Sequence, residues 1–140
     1  MIDAKEYLES FRTEEARIQL KVKQLQVLED RLHTTTVPID TERVSHTKTR
    51  DAMAETIAIV IDLQEEINMQ KCQLAEAKRD AFRLLDQISP DSASILISRY
   101  FMGMTIKQIG KTLYSSRTQT YRRLQGALSE FQEILSKTIS

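Results

Sequence analysis

The chain has 140 residues, enough for one ordinary domain or for a small domain with an extended helical appendage. Only three Gly and two Pro occur, which argues against a turn-rich all-β fold, and a single cysteine, Cys72, excludes an intrachain disulfide and suits a reducing compartment. Formal net charge is zero, but residues 1–88 carry 13 Lys and Arg against 17 Asp and Glu, while residues 89–140 carry 7 against 3. An acidic part and a basic part within a neutral chain imply that only the second meets a polyanion.

The amino-terminal stretch MIDAKEYLES is polar and acidic, unlike a signal peptide. From Ala4 a 4,3 spacing runs through Leu8, Phe11, Glu15, Ile18, Val22, Leu25, Glu29 and Leu32, with seven of the nine positions apolar. Such a stripe predicts a coiled-coil seam or an amphipathic helix with a narrow buried face. Glu15 and Glu29 would sit in or beside that seam, weakening it locally while fixing its register.

Residues 34–48, TTTVPIDTERVSHTK, break the period with three consecutive Thr and with Pro38, and are expected to form a loop. A second periodic stretch extends from about residue 51 to residue 88. On the seam 53, 57, 60, 64, 67, 71, 74, 78, 81, 85 and 88, apolar residues hold eight of eleven places, interrupted by Gln64, Lys71 and Lys78. Two such helices can fold back as an antiparallel hairpin within one chain or pair between two chains, and the pattern does not choose between them. The longest strongly apolar run, Ile57 to Ile61, falls far short of the roughly 20 residues that cross a bilayer, so a soluble cytoplasmic chain without a membrane partner is expected.

Ser89, Pro90 and Asp91 then spell a helix start: an N-cap side chain, a preset φ at the first helical position and a carboxylate at the positive helix end. That helix should end at Gly103, a residue suited to a left-handed cap. Thr105 and Gln108 form a T-x-x-Q capping box that opens a short helix ending at Leu113. Ile106, Ile109 and Leu113 share one face of it, Lys107 and Lys111 another, and Gly110 leaves room for a neighbouring helix. Tyr114 and Ser115 make a turn, and Ser116 caps a last helix. On this helix Thr120, Leu124, Ala127 and Phe131 fall in a narrow arc opposite Thr118, Arg122 and Gln125, with Gln119 and Arg123 flanking. Two short helices joined by a tight turn, the second with a polar and basic face, form the arrangement that places side chains in a DNA major groove.

Residues 89–135 resemble region four of bacterial sigma factors, in which a helix ends before a G-x-T-x-x-x-I-G/A motif and a recognition helix begins with Ser. The matching residues are Tyr100, Gly103, Met104, Thr105, Ile109, Gly110, Leu113, Ser116, Leu124 and Ala127. With the helical arm added, the chain is similar to small phage-encoded transcription regulators of the ArpU and RinA type. It departs from the pattern at Tyr114, where a Gly is common, and at Thr120, where an aliphatic residue is usual. The expected fold is therefore all-α, a long helical hairpin or coiled coil over 1–88 followed by a helix-turn-helix domain over 89–140.

The resemblance implies a DNA-binding regulator in the bacterial host cytoplasm, with double-stranded DNA as partner and a contact to RNA polymerase. Thr118, Gln119 and Arg122 are the candidates for base edges, since Arg fits guanine and Gln fits adenine through paired hydrogen bonds. Lys107, Lys111, Arg117 and Arg123 are the candidates for phosphates. Ser116 is a candidate phosphate donor as well as a cap. A unit with so few positive charges binds weakly alone, so useful specificity calls for a homodimer through the arm or for a second protein.

No catalytic constellation is present, and no enzyme activity or cofactor is expected. His33 and His46 lie 13 residues apart with Cys72 distant, which is not a zinc spacing. No P-loop or glycine-rich dinucleotide turn occurs. Glu14, Glu15, Glu65 and Glu66 read as solvated helix faces. Two other functions fit the same elements: a DNA-recognition subunit of phage packaging machinery, and a protein-binding helical adaptor.

Overall fold

A computed structural model describes residues 2–35 and 43–139. It is all-α, with five α-helices among the described residues: α1 (Ala4–Thr35), α2 (Arg43–Leu85), α3 (Pro90–Leu96), α4 (Ile106–Leu113) and α5 (Arg117–Ile139). A π-helical segment, Ile97–Phe101, continues α3. Helices α1 and α2 form a hairpin within the chain. Of the loop expected over 34–48, residues 36–42 lie outside the described residues. Helical backbone reaches Thr35 and resumes at Arg43, so the flanks of that stretch are helical. No helix among the described residues is long and apolar enough to cross a membrane.

The chain divides into two compact units, Met1–Glu15 with Leu74–Ser140, and Ala16–Gln73. The sequence-based division at 88 and 89 follows the change of pattern, whereas the compact units follow packing.

In the unit Ala16–Gln73, Ile18, Val60 and Ile67 are buried. The α1 seam lies as the spacing predicts, with Val22, Leu25, Glu29 and Leu32 half-buried beyond Ile18. On α2 the seam needs a correction at alternate positions. Ile57, Gln64 and Lys71 are exposed, and Thr56, Leu63 and Gln70 are half-buried in their stead. The inward stripe is thus 56, 60, 63, 67 and 70. It still follows a 4,3 spacing, but it leaves Ile57, Ile59 and Ile61 on the outside.

Polar groups on α1 meet polar groups on α2. Lys21 pairs with Glu66, and Gln64 Nε2 donates to Glu29 Oε1 at 3.3 Å. In the other unit Lys78 pairs with Glu15, so two residues that interrupt the two apolar seams answer each other. Position rises along α1 as it falls along α2, which is the antiparallel order. Partly exposed ion pairs of this kind are each worth about 0–1 kcal/mol, so they specify register more than they stabilise.

The unit formed by Met1–Glu15 and Leu74–Ser140 holds the main core. Ala4, Leu8, Leu85, Ile88, Leu96, Tyr100, Leu124, Ala127, Phe131 and Leu135 are buried in one cluster. Tyr7 meets Phe11 edge-on at 5.4 Å and stacks on Phe131 at 5.9 Å, and Phe101 lies 5.2 Å from Phe11 and 4.9 Å from Phe82. Such ring pairs add about 0.5–1.5 kcal/mol beyond the area they bury. Gln132 of α5 ties down the start of the chain, accepting from the Ala4 N–H at 2.6 Å and donating to the Ile2 carbonyl at 3.0 Å.

Helix α3 starts at Pro90, as the Ser-Pro-Asp signal predicts, but its cap differs from the expected one. The Ser89 side chain makes no capping bond. The Glu130 carboxylate, reaching across from α5, accepts instead from the Ser89 N–H at 2.7 Å, the Ser89 hydroxyl at 3.2 Å and the Ser92 hydroxyl at 2.7 Å. The helical run ends at Gly103, whose φ of +70° is left-handed as expected. The π-turn before it was not expected. The Met102 N–H bonds the Ile97 carbonyl at 2.9 Å, five residues back, and the widened turn lets the consecutive Tyr100 and Phe101 both reach the core.

Bonds from Ser89 and Ser92 hold the Glu130 carboxyl below its ordinary value of 4.5, the Ser89 N–H contributing most. Because the folded value is the lower one, this contribution is fully present above pH 4.5 and fades as pH falls through the folded value. Asp91 and Arg123 line the same groove as Glu130. E130Q is therefore expected to lower the thermal midpoint at neutral pH and to flatten its decline on the acid side. Circular dichroism melts between pH 7 and pH 3 check this, and an unchanged acid decline in E130Q would refute the assignment.

Candidate functional site

The candidate site is built on α4, the turn after it and the first turns of α5, all within one compact unit. The Thr105–Gln108 capping box forms as predicted. The Gln108 N–H donates to Thr105 Oγ1 at 3.2 Å, and the Thr105 N–H donates to Gln108 Oε1 at 2.9 Å. Two otherwise orphaned backbone donors are satisfied, so α4 begins at a fixed place. Ile109 is buried and Ile106 and Leu113 are half-buried, leaving Lys107 and Lys111 exposed on the other face.

The turn is closed by Tyr114 in the left-handed conformation, φ 53° and ψ 40°, with the Ser115 N–H bonded to the Gly110 carbonyl at 2.9 Å. Gly110 is favoured by close contact rather than by φ. A Cβ there would come within 3.0 Å of both the Ser115 carbonyl oxygen and Thr120 Oγ1. Thr120, in the place of an aliphatic residue, is 1% exposed. Its hydroxyl is satisfied locally, donating to the Ser116 carbonyl at 2.8 Å. A buried hydroxyl that bonds its own helix backbone costs little, which is how a polar residue fits this arc of α5.

Helix α5 opens on a second capping box. The Gln119 N–H donates to Ser116 Oγ at 3.2 Å and the Ser116 N–H donates to Gln119 Oε1 at 3.2 Å. Gln119 is also a candidate for a base edge, since its amide fits adenine. Oε1 accepts the Ser116 N–H through one lone pair and keeps the second, and Nε2 keeps its donors, so the capping bond leaves Gln119 with polar capacity to spend outward. The S-x-x-Q spacing is the signal for the capping role, identical in form to T-x-x-Q one helix earlier. Ser116 accepts through Oγ in the box and keeps its O–H to donate elsewhere.

All eight predicted site residues are exposed: Lys107 and Lys111 on α4, Ser116 at the cap, and Arg117, Thr118, Gln119, Arg122 and Arg123 on α5. Opposite them, Thr120, Leu124, Ala127 and Phe131 are buried, so the two faces of α5 separate as the spacing predicts. Among the described residues, none of Lys107, Lys111, Arg117, Arg122 and Arg123 forms a salt bridge within the chain.

The fold groups some of these residues and separates another. Lys107, Lys111 and Arg117 line one cleft of about 450 Å³ with Ile106, Gly110 and Tyr114. Arg123 is on a different groove, beside Asp91 and Glu130. Tyr114, a turn residue standing where a Gly is common, is 98% exposed on the rim of the cationic cleft.

Among the described residues, no three His, Cys, Asp or Glu side chains converge as metal ligands would, and Cys72 is exposed. Compared with family models, curated proteins and solved structures, the chain has no match. The resemblance to sigma region four thus rests on the motif residues themselves.

Proposed function

We propose that the chain is a DNA-binding regulator of transcription that presents α4, the turn and α5 to duplex DNA as a helix-turn-helix. The observation that carries this reading is that Lys107, Lys111, Arg117, Arg122 and Arg123 are exposed and, among the described residues, form no salt bridge, while Thr120, Leu124, Ala127 and Phe131 are buried on the opposite face of α5. Cations left free of the chain's own carboxylates attract a polyanion without first breaking internal bonds. In this reading α5 enters the major groove, where Arg122 reads a guanine edge and Thr118 contacts a neighbouring base. Lys107, Lys111 and Arg117 hold phosphates on one side, and the free Ser116 O–H donates to another phosphate at the α5 amino terminus.

The hairpin uses its own apolar seams internally, so a homodimer or a polymerase contact would have to form through other surfaces. Both remain part of the proposal, since they would supply the affinity a single small unit lacks.

The test is to compare the natural chain with R122A/R123A in footprinting across a genomic DNA library and on a DNA column at low salt. The natural chain should protect discrete sites near promoters, and the double variant should bind about 5- to 150-fold more weakly, as loss of a base contact worth about 1–3 kcal/mol requires. Equal retention of the double variant would favour the protein-binding adaptor. Protection confined to a packaging start site would favour the packaging subunit.

A further inference from the structure

Tyr114 combines two features that work against each other within the fold. Its backbone is left-handed, at φ 53° and ψ 40°, a conformation that crowds the Cβ of a bulky residue and that helix ends commonly assign to Gly or Asn. Its side chain is 98% exposed, so the ring gains nothing by packing against its own chain. The turn needs the left-handed backbone, but nothing in the fold rewards a bulky ring there, so the ring points to something outside the fold.

The surroundings of the ring say what that is. It stands on the rim of the cleft lined by Lys107, Lys111 and Arg117, with Ile106 and Gly110 also in its wall. Three cations in one cleft call for an anion with several charges in a row. An aromatic ring with a phenol O–H beside them suits a ligand whose charged groups alternate with an uncharged, partly apolar portion. A sugar-phosphate strand has that alternation, whereas an isolated phosphate does not.

We infer that Tyr114 is a DNA-contacting residue: one strand of a duplex backbone lies in this cleft, its phosphates on Lys107, Lys111 and Arg117, its deoxyribose against the Tyr114 ring, and a phosphate oxygen accepting from the phenol O–H. This rests on the DNA-binding reading above and adds to it a positioning contact that carries no charge. A neutral contact releases no counterion, so it strengthens binding without steepening the salt dependence. Because the left-handed turn fixes the direction in which the ring leaves the chain, it sets the angle at which α5 meets the groove.

The experiment uses the full chain and Y114G, Y114N and K111A, with a fluorescent 20-base-pair duplex of mixed sequence read by anisotropy from 50 to 200 mM salt, together with thermal melts. Y114G relieves the left-handed strain and is expected to raise the melting midpoint by about 2–4 °C. It should nevertheless weaken DNA binding by about 5- to 10-fold, with the slope of log affinity against log salt unchanged. Y114N, which tolerates the same backbone, should show the same loss. K111A should reduce the slope by about 0.9. Binding by Y114G and Y114N equal to that of the natural chain overturns the inference and leaves the DNA reading standing. A lower midpoint in both overturns it too, because the ring would then be supporting the fold. If the natural chain fails to bind the duplex at 50 mM salt, the DNA reading falls and the inference falls with it.

Discussion

Replacing Phe131 with Ala is expected to destabilise the chain by about 3–5 kcal/mol, the range for deleting a fully buried aromatic ring. Phe131 is 0% exposed, stacks on Tyr7, and lies in a cluster with Leu8, Leu85, Leu96 and Leu135, each at most 1% exposed. These neighbours come from α1, α2, α3 and α5, so the space left by the ring is walled by several elements that cannot all move in to fill it. The loss is transfer energy plus an unfilled cavity. Small domains have a total stability of about 5–15 kcal/mol, so the variant would stand near the edge of folding. Urea denaturation followed by circular dichroism measures the change as a lower midpoint at constant m-value. L20A is the control. Leu20 is 58% exposed, and its truncation should change stability by less than about 0.5 kcal/mol. A Phe131 variant within about 1 kcal/mol of the natural chain would show that the core is centred elsewhere.

The same cluster shows which parts of the molecule were open to reading from its residues. The α1 stripe and the α5 arc both resolved correctly, because in each the apolar residues recur at one helical spacing with polar residues between them. The α2 stripe slipped at alternate positions because Ile57, Ile59, Val60 and Ile61 crowd into five residues and carry no period of their own. Thr56 and Gln70, which do face inward, are polar and gave no signal. Local capping was legible where it depended on four consecutive residues, as at Thr105–Gln108. The Ser116–Gln119 box is equally local, and the spacing S-x-x-Q carries the same signal.

Contacts made across the fold were beyond reach. Glu130 caps α3 from 41 residues away, and no short spacing encodes that meeting. The π-turn over Ile97–Phe101 answers to two aromatic residues that must both reach one core, a demand that appears only once the other helices are placed. At the candidate site, exposure of the cations followed from helical spacing. Their grouping did not, since the division of Arg123 from Lys107, Lys111 and Arg117 depends on where α3 brings Asp91 and Ser92.

That grouping shapes the expected salt dependence of DNA binding, the largest functional effect the site implies. Four full phosphate contacts, from Lys107, Lys111, Arg117 and Arg123, would set a limiting slope of log affinity against log salt near −3.6, so raising salt from 50 to 200 mM should weaken binding by at most about 150-fold. Two chains on a two-fold site would double the slope to about −7 and the loss would reach about 10⁴-fold, so one titration reads both the contact and the number of chains engaged. The four positions are not expected to contribute equally. Arg123 shares its groove with Asp91 and Glu130, and those carboxylates oppose the approach of a phosphate. K107A, K111A and R117A should each reduce the slope by about 0.9, and R123A by less. Replacing all four should bring the slope near zero, while circular dichroism stays unchanged because every one of these side chains is exposed. A slope that survives the fourfold replacement would place the DNA on some other surface of the chain, and a slope near zero in the natural chain would mean that no polyanion binds through these cations at all.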